Sequence, residues 1–141
     1  MRLITALVLA TPAHAWEFTP TPICTLTHET PEARITLTYD QSLPEYTIAL
    51  TLTGATWPEA PTFAMRFGAA RPIAIGTDRH VLSENATTLT VTDSGFGNVL
   101  DGLQFNEAAA ATTGDRTLVI PLDDAAEAVA AFRRCPEPGL S

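Results

Sequence analysis

The chain is predicted to fold as a mainly β protein: an antiparallel β-sandwich or open barrel of about seven to nine short strands with one C-terminal α-helix. Three observations predict this. Apolar and polar residues alternate with a period of two in several separate runs. The breaks between those runs are rich in Gly, Pro, Asn and Asp. A single late segment carries its apolar residues at helical spacing.

The elements follow in order. Residues 16–22 are extended and hold Pro20 and Pro22, and a short strand from Pro22 to Thr27 carries Cys24. Between Arg34 and Tyr39, the residues Ile35, Leu37 and Tyr39 face one way, and Arg34, Thr36 and Thr38 the other. After a turn at 40–44, Tyr46, Ile48, Leu50 and Leu52 alternate with Thr47, Ala49, Thr51 and Thr53, which makes the two runs a hairpin. A loop at 54–61 holds Trp57. Phe63, Met65 and Phe67 then alternate with Thr62, Ala64 and Arg66, and Ile73 and Ile75 point inward from a short strand at 72–76.

Thr87, Leu89 and Val91 alternate with Thr88, Thr90 and Thr92, and threonine suits the solvent face of a sheet. Residues 93–102 hold Gly95, Gly97 and Gly102 and read as a loop or one short helical turn. The runs 108–112 and 116–122 flank Thr113-Gly114-Asp115, a second hairpin signal. Asp124 and Glu127 then start a helix in the manner of a capping box. Ala125, Ala128, Val129, Phe132 and Cys135 share one of its faces. Arg133 and Arg134 favour its C-terminal end, and Pro136 stops it.

The first residues have a separate purpose. Arg2, the apolar run from Leu3 to Ala10 and the Ala13-His14-Ala15 triplet form a signal peptide over residues 1–15, cleaved after Ala15. The run is too short to span a bilayer, which takes roughly 20 apolar residues. Residues 16–141 then make a single β-rich domain, periplasmic or secreted. In that oxidising setting Cys24 and Cys135 are expected to form a disulfide joining the first strand to the last helical turn.

Charge narrows the partners. The formal net charge is −8 and every basic residue is Arg. Removing residues 1–15 takes away Arg2 and no acidic residue, so the mature chain is more acidic still. Such a chain is a poor ligand for phosphate backbones and anionic membranes, so no nucleic acid and no stable membrane insertion after signal cleavage are expected. Two cysteines with only His28 and His80 beside them make no metal set, and no cofactor motif is present.

The residues that could carry function are few. Thr77-Asp78-Arg79-His80 places His80 near Asp78 as a candidate general base, and also reads as an ordinary turn. In Asp93-Ser94-Gly95-Phe96-Gly97-Asn98 the glycines could bring backbone N–H groups to a ligand; Phe96 could equally anchor a tight loop. Arg66 and Arg71 could clamp a carboxylate or form surface ion pairs. Trp57 could contact a ligand or cover the core. Asn85-Ala86-Thr87 matches a glycosylation sequon, which carries no meaning in a bacterial protein.

Several stretches resemble a group of short exported proteins from alphaproteobacteria. They are Ala15-Trp16-Glu17-Phe18, Ile23-Cys24-Thr25-Leu26, Thr77-Asp78-Arg79-His80, the run from Gly95 to Leu103, and Ala131-Phe132-Arg133-Arg134-Cys135. Some members of that group carry the label of the helicase-like component of the excinuclease ABC DNA-repair system. That label does not fit here, because a chain without Lys has no GxxxxGK[ST] phosphate loop. The order of strands, hairpin and a final helix ending near a cysteine is also similar to invasion-associated locus B proteins, which implies a secreted β-sandwich. Neither resemblance implies a catalytic residue.

The function expected is a non-enzymatic periplasmic domain that binds a partner protein or a small ligand. Its contact surface would comprise Asp78, Arg79, His80, Asp93, Phe96, Asn98 and Asp101, if folding brings the two loops to one end. One alternative is a hydrolase-like enzyme using His80 with Asp78, Asp93 or Asp101. Another is an acidic inhibitor of a basic extracellular enzyme such as a lysozyme.

Overall fold

In a computed structural model, which describes residues 15–135, ten strands and two helices follow one another along the chain. The strands are β1 (Glu17–Thr19), β2 (Cys24–Glu29), β3 (Ala33–Asp40), β4 (Glu45–Leu52), β5 (Phe63–Gly68), β6 (Ile73–Thr77), β7 (Val81–Ser83), β8 (Thr88–Asp93), β9 (Ala108–Thr113) and β10 (Arg116–Pro121). The helices are α1 (Gly97–Phe105) and α2 (Ala125–Arg134). Residues 1–14 of the expected signal peptide and the expected helix stop at Pro136 lie outside the described residues.

The strands form two antiparallel sheets, one of six strands in the order β1-β2-β3-β4-β8-β7 and one of four in the order β10-β9-β5-β6. Neither sheet closes on itself, so the architecture is the sandwich and not the barrel. The period of two sets the register. Ile35 pairs with Leu50, Leu37 with Ile48, and Leu50 with Leu89, all on the inner face and all essentially buried. Burying each such side chain contributes roughly 1.5–3 kcal/mol. The outer face of the six-stranded sheet is lined with threonine: Thr19, Thr25, Thr38, Thr47 and Thr92 fall in one cross-strand line. Thr47 and Thr92 share a hydroxyl hydrogen bond of 3.3 Å, and Thr51 and Thr88 one of 2.9 Å.

The strand number exceeds the expected seven to nine because β1 and β7 have three residues each. Runs so short carry no readable period, and pairing to β2 and β8 defines them instead. A larger correction concerns residues 93–102, expected as a loop or single turn. Nine residues from Gly97 form helix α1, with Val99, Leu100, Gly102 and Leu103 buried. The described residues therefore hold two helices, one of them internal. Gly102 hid this one, since a mid-helix glycine costs about 1 kcal/mol against alanine. It stands there for space: a Cβ at Gly102 would lie 2.4 Å from the Phe67 ring. Gly102→Ala should therefore destabilise the fold by about 1–3 kcal/mol despite its better helix propensity. Urea unfolding measures this, and an unchanged midpoint would show that Phe67 yields freely.

Helix α2 buries Ala125, Val129 and Phe132, the face the sequence predicts. Its expected capping box does not form. Asp124 sits at φ 58° in the left-handed region, where its carboxylate makes no cap hydrogen bond; a capping side chain works from extended backbone. The helices pack on each other and on different sheets. Helix α1 meets β5, β6 and β9, with Gly102 on Phe67, and α2 meets β1 and β2. Phe132 of α2 packs edge-on to Phe18 of β1 and against Tyr46 of β4. Cys24 and Cys135 form the expected disulfide, joining β2 to the end of α2 across 111 residues. No helix among the described residues is long and apolar enough to cross a membrane.

Trp57 is buried, and its indole N–H donates to the Leu50 carbonyl at 3.0 Å. It belongs to the core, which corrects the idea of an exposed ligand-contacting aromatic there.

Candidate functional site

A cleft of about 480 Å³ opens between the sheets beside the start of α1. Strand alternation supplies its walls: Ile48 and Val91 from the six-stranded sheet face Phe63, Met65 and Ile75 from the four-stranded one. Phe96 and Val99 close the side next to α1. Phe96 is held by stacking on Tyr46, with ring centroids 5.3 Å apart.

The rim is polar. The connection from β6 to β7 crosses from one sheet to the other and carries Arg79 over the cleft. The Arg79 backbone N–H donates to Thr77 Oγ1 at 3.0 Å, which shapes this turn. Arg79 Nη2 donates to Asp93 Oδ2 at 3.2 Å, from the end of β8. Asp93 Oδ1 accepts from the Ser94 backbone N–H at 2.6 Å and more weakly from its hydroxyl. The Arg79 and Asp93 side chains are 69% and 40% exposed, so their pair sets position and adds at most about 1 kcal/mol of stability. Asn98 lines the rim from the first turn of α1, an end that no side chain caps and that holds no acidic residue.

Of the seven residues singled out in the sequence, the cleft therefore brings together Arg79, Asp93, Phe96 and Asn98. The other three lie elsewhere. Asp78 is exposed in the β6–β7 connection. The His80 ring rests on Phe63, and its Nε2–H donates to the Ala60 carbonyl at 3.1 Å. Nδ1 of His80 is buried without a partner, and no carboxylate lies within hydrogen-bond reach of the ring among the described residues. Asp101 lies on α1 and not in a loop. It accepts from Arg133 of α2 at 2.8 Å, while Arg133 also donates to Gln104 at 3.0 Å, so these contacts tie the helices together.

The two arginine candidates separate as well. Arg71 stands 4.0 Å from Asp101 and lies over the Phe105 ring, 4.6 Å from its centroid. Its backbone is gripped by the Asn106 amide at 2.7 and 2.8 Å. Arg66 faces solvent from β5. Sequence reasoning missed the wall of the cleft. Ile48, Met65, Ile75 and Val91 follow the same inward alternation as fully packed core residues, and no local signal sets them apart. Among the described residues no group of three or more His, Cys, Asp or Glu could hold a metal ion.

One titrating group lies just behind the cleft. Burial raises the Tyr46 pKa above its ordinary value of 10.0, the neighbouring Tyr39 adds to the rise, and Arg133 partly opposes it. The folded chain therefore keeps Tyr46 protonated to higher pH than the unfolded chain does. The stability this contributes is intact below pH 10 and is lost as pH climbs through the raised value. Tyr46→Phe should flatten the fall in unfolding free energy above that pH, as denaturant titrations from neutral pH to pH about 11 would record. An unaltered slope would place the alkaline loss on other groups.

Comparison with known proteins returns no matching family model, no matching curated protein and no matching solved structure.

Proposed function

We propose that this chain is an exported, non-enzymatic binding protein whose cleft takes a small, largely apolar ligand. The observation that carries the reading is the cleft itself. Apolar walls from both sheets meet a rim of a few fixed polar groups, and the volume falls within the roughly 300–1,000 Å³ usual for small-molecule sites. A protein partner has no comparable support. The hydrolase alternative is weakened by His80: its one free lone pair is buried, so it cannot reach a substrate proton.

Export is supported by the order of charge, apolar run and small residues in 1–15, and by the paired cysteines, which persist in oxidising compartments. Cell fractionation with N-terminal sequencing tests it; a periplasmic product beginning at Trp16 is expected, and a cytosolic untrimmed chain would overturn it.

The binding reading is tested by titrating the protein with N-phenylnaphthylamine, an uncharged apolar dye that brightens on leaving water. The wild type should bind it saturably. Ile75→Trp fills the cleft from edge strand β6 and should weaken binding by about tenfold or more while the thermal midpoint holds. No saturable binding, or equal binding by the filled variant, would reject the cleft as the site.

A further inference from the structure

We propose that the ligand of this cleft is an amphiphilic monocarboxylate, and that Arg79 exchanges Asp93 for the ligand's carboxylate when it binds. This rests on the binding reading above and goes further by assigning the chemistry of the ligand's polar end.

Donors and acceptors are unequally committed at the rim. A guanidinium has five N–H donors. Among the described residues the Arg79 side chain uses only Nη2, in a single 3.2 Å bond to Asp93, and it is 69% exposed. Asp93 is far more committed: one oxygen takes the Ser94 backbone N–H and hydroxyl, and the other takes Arg79. The exposed Asn98 amide adds further donors beside the cleft. Among the described residues the rim thus holds donors in surplus, and the one carboxylate lining it is already occupied.

A ligand whose apolar body enters between Ile48 and Ile75 brings its other end to that rim. A carboxylate there accepts two parallel bonds from Arg79, the fork geometry in which guanidinium and carboxylate match best. An alcohol has a single uncharged oxygen and cannot match that fork. An ammonium has to compete with Arg79 for Asp93. The bond being exchanged is a weak one, because it is exposed and single. Asp93 stays anchored through Ser94 when Arg79 swings away, so the exchange moves one side chain and no backbone.

The test is displacement of N-phenylnaphthylamine by dodecanoate, dodecanol and dodecylammonium, all of one chain length and all below micelle-forming concentration. Dodecanoate should displace the dye at about one-tenth the concentration needed for dodecanol, and dodecylammonium should be weakest. Arg79→Gln should weaken dodecanoate far more than dodecanol and so erase the preference between them. Asp93→Asn removes the competing charge and should strengthen dodecanoate about threefold or more. The Arg79 side chain is largely exposed, and Asn at 93 keeps an oxygen for the Ser94 backbone N–H, so neither variant threatens folding. Equal displacement by dodecanoate and dodecanol, or a preference that survives in Arg79→Gln, overturns the carboxylate assignment and leaves the cleft reading standing. A dye that binds but is displaced by none of the three overturns the carboxylate assignment too. A dye that does not bind the wild type at all overturns both.

Discussion

Replacing Cys24 and Cys135 together by alanine is expected to lower the unfolding free energy by about 4–5 kcal/mol. The bridge closes a loop of 111 residues, so nearly the whole described chain is constrained in the unfolded ensemble when it is present. Loop-closure entropy grows with the logarithm of loop length, and a loop this long is near the top of what one disulfide can contribute. A chain of this size has a total stability of about 5–15 kcal/mol, so the loss is a large fraction of the whole. Alanine at both sites avoids a lone thiol, and comparing urea unfolding of the variant with that of the oxidised wild type isolates the term. A difference below about 1 kcal/mol would mean that the unfolded chain is held compact by something other than the bridge.

Phe132→Ala should cost about 3–5 kcal/mol, the usual range for emptying a fully buried aromatic site. Phe132 is wholly inaccessible to solvent. Its ring lies edge-on to Phe18, with centroids 6.4 Å apart and planes at 81°, and tilted against Tyr46 at 6.2 Å. These aromatic contacts add to the simple burial term. Phe132→Leu keeps most of the volume and should lose clearly less. Thermal and chemical unfolding of both variants measures the pair; equal losses would show that ring geometry, and not the cavity, sets the cost. Phe132 and Cys135 secure the same helix, so combining the phenylalanine and cysteine variants should cost less than the two losses added together.

Elements with a long, unbroken period were legible in the sequence. The β3–β4 hairpin, the Gly114 hairpin between β9 and β10, and the buried face of α2 all fall where alternation or helical spacing puts them. The disulfide followed from chemistry, since two cysteines on a chain expected to be exported have one simple fate. What escaped did so for physical reasons. Helix α1 carries a glycine that local propensity penalises and that only the approach of Phe67 explains. Strands β1 and β7 exist because neighbours pair with them.

The candidate site divided along the same line. Both rim segments were visible as polar breaks, yet Arg79 and Asp93 meet only because the chain changes sheets between β6 and β7. His80, one residue from Arg79, turns away onto Phe63 for the same reason. No local pattern encodes a sheet change.

The sulfur bridge has a consequence for when the pocket becomes usable. It fastens the end of α2; Arg133 fastens α2 to Asp101 of α1; and the first turn of α1 is a wall of the cleft. A newly made copy still in a reducing environment lacks the first link of that clamp. On the proposed export, binding role and ligand, capacity to hold cargo would then mature with oxidation, and the protein would not sequester apolar acids in the compartment where it is synthesised.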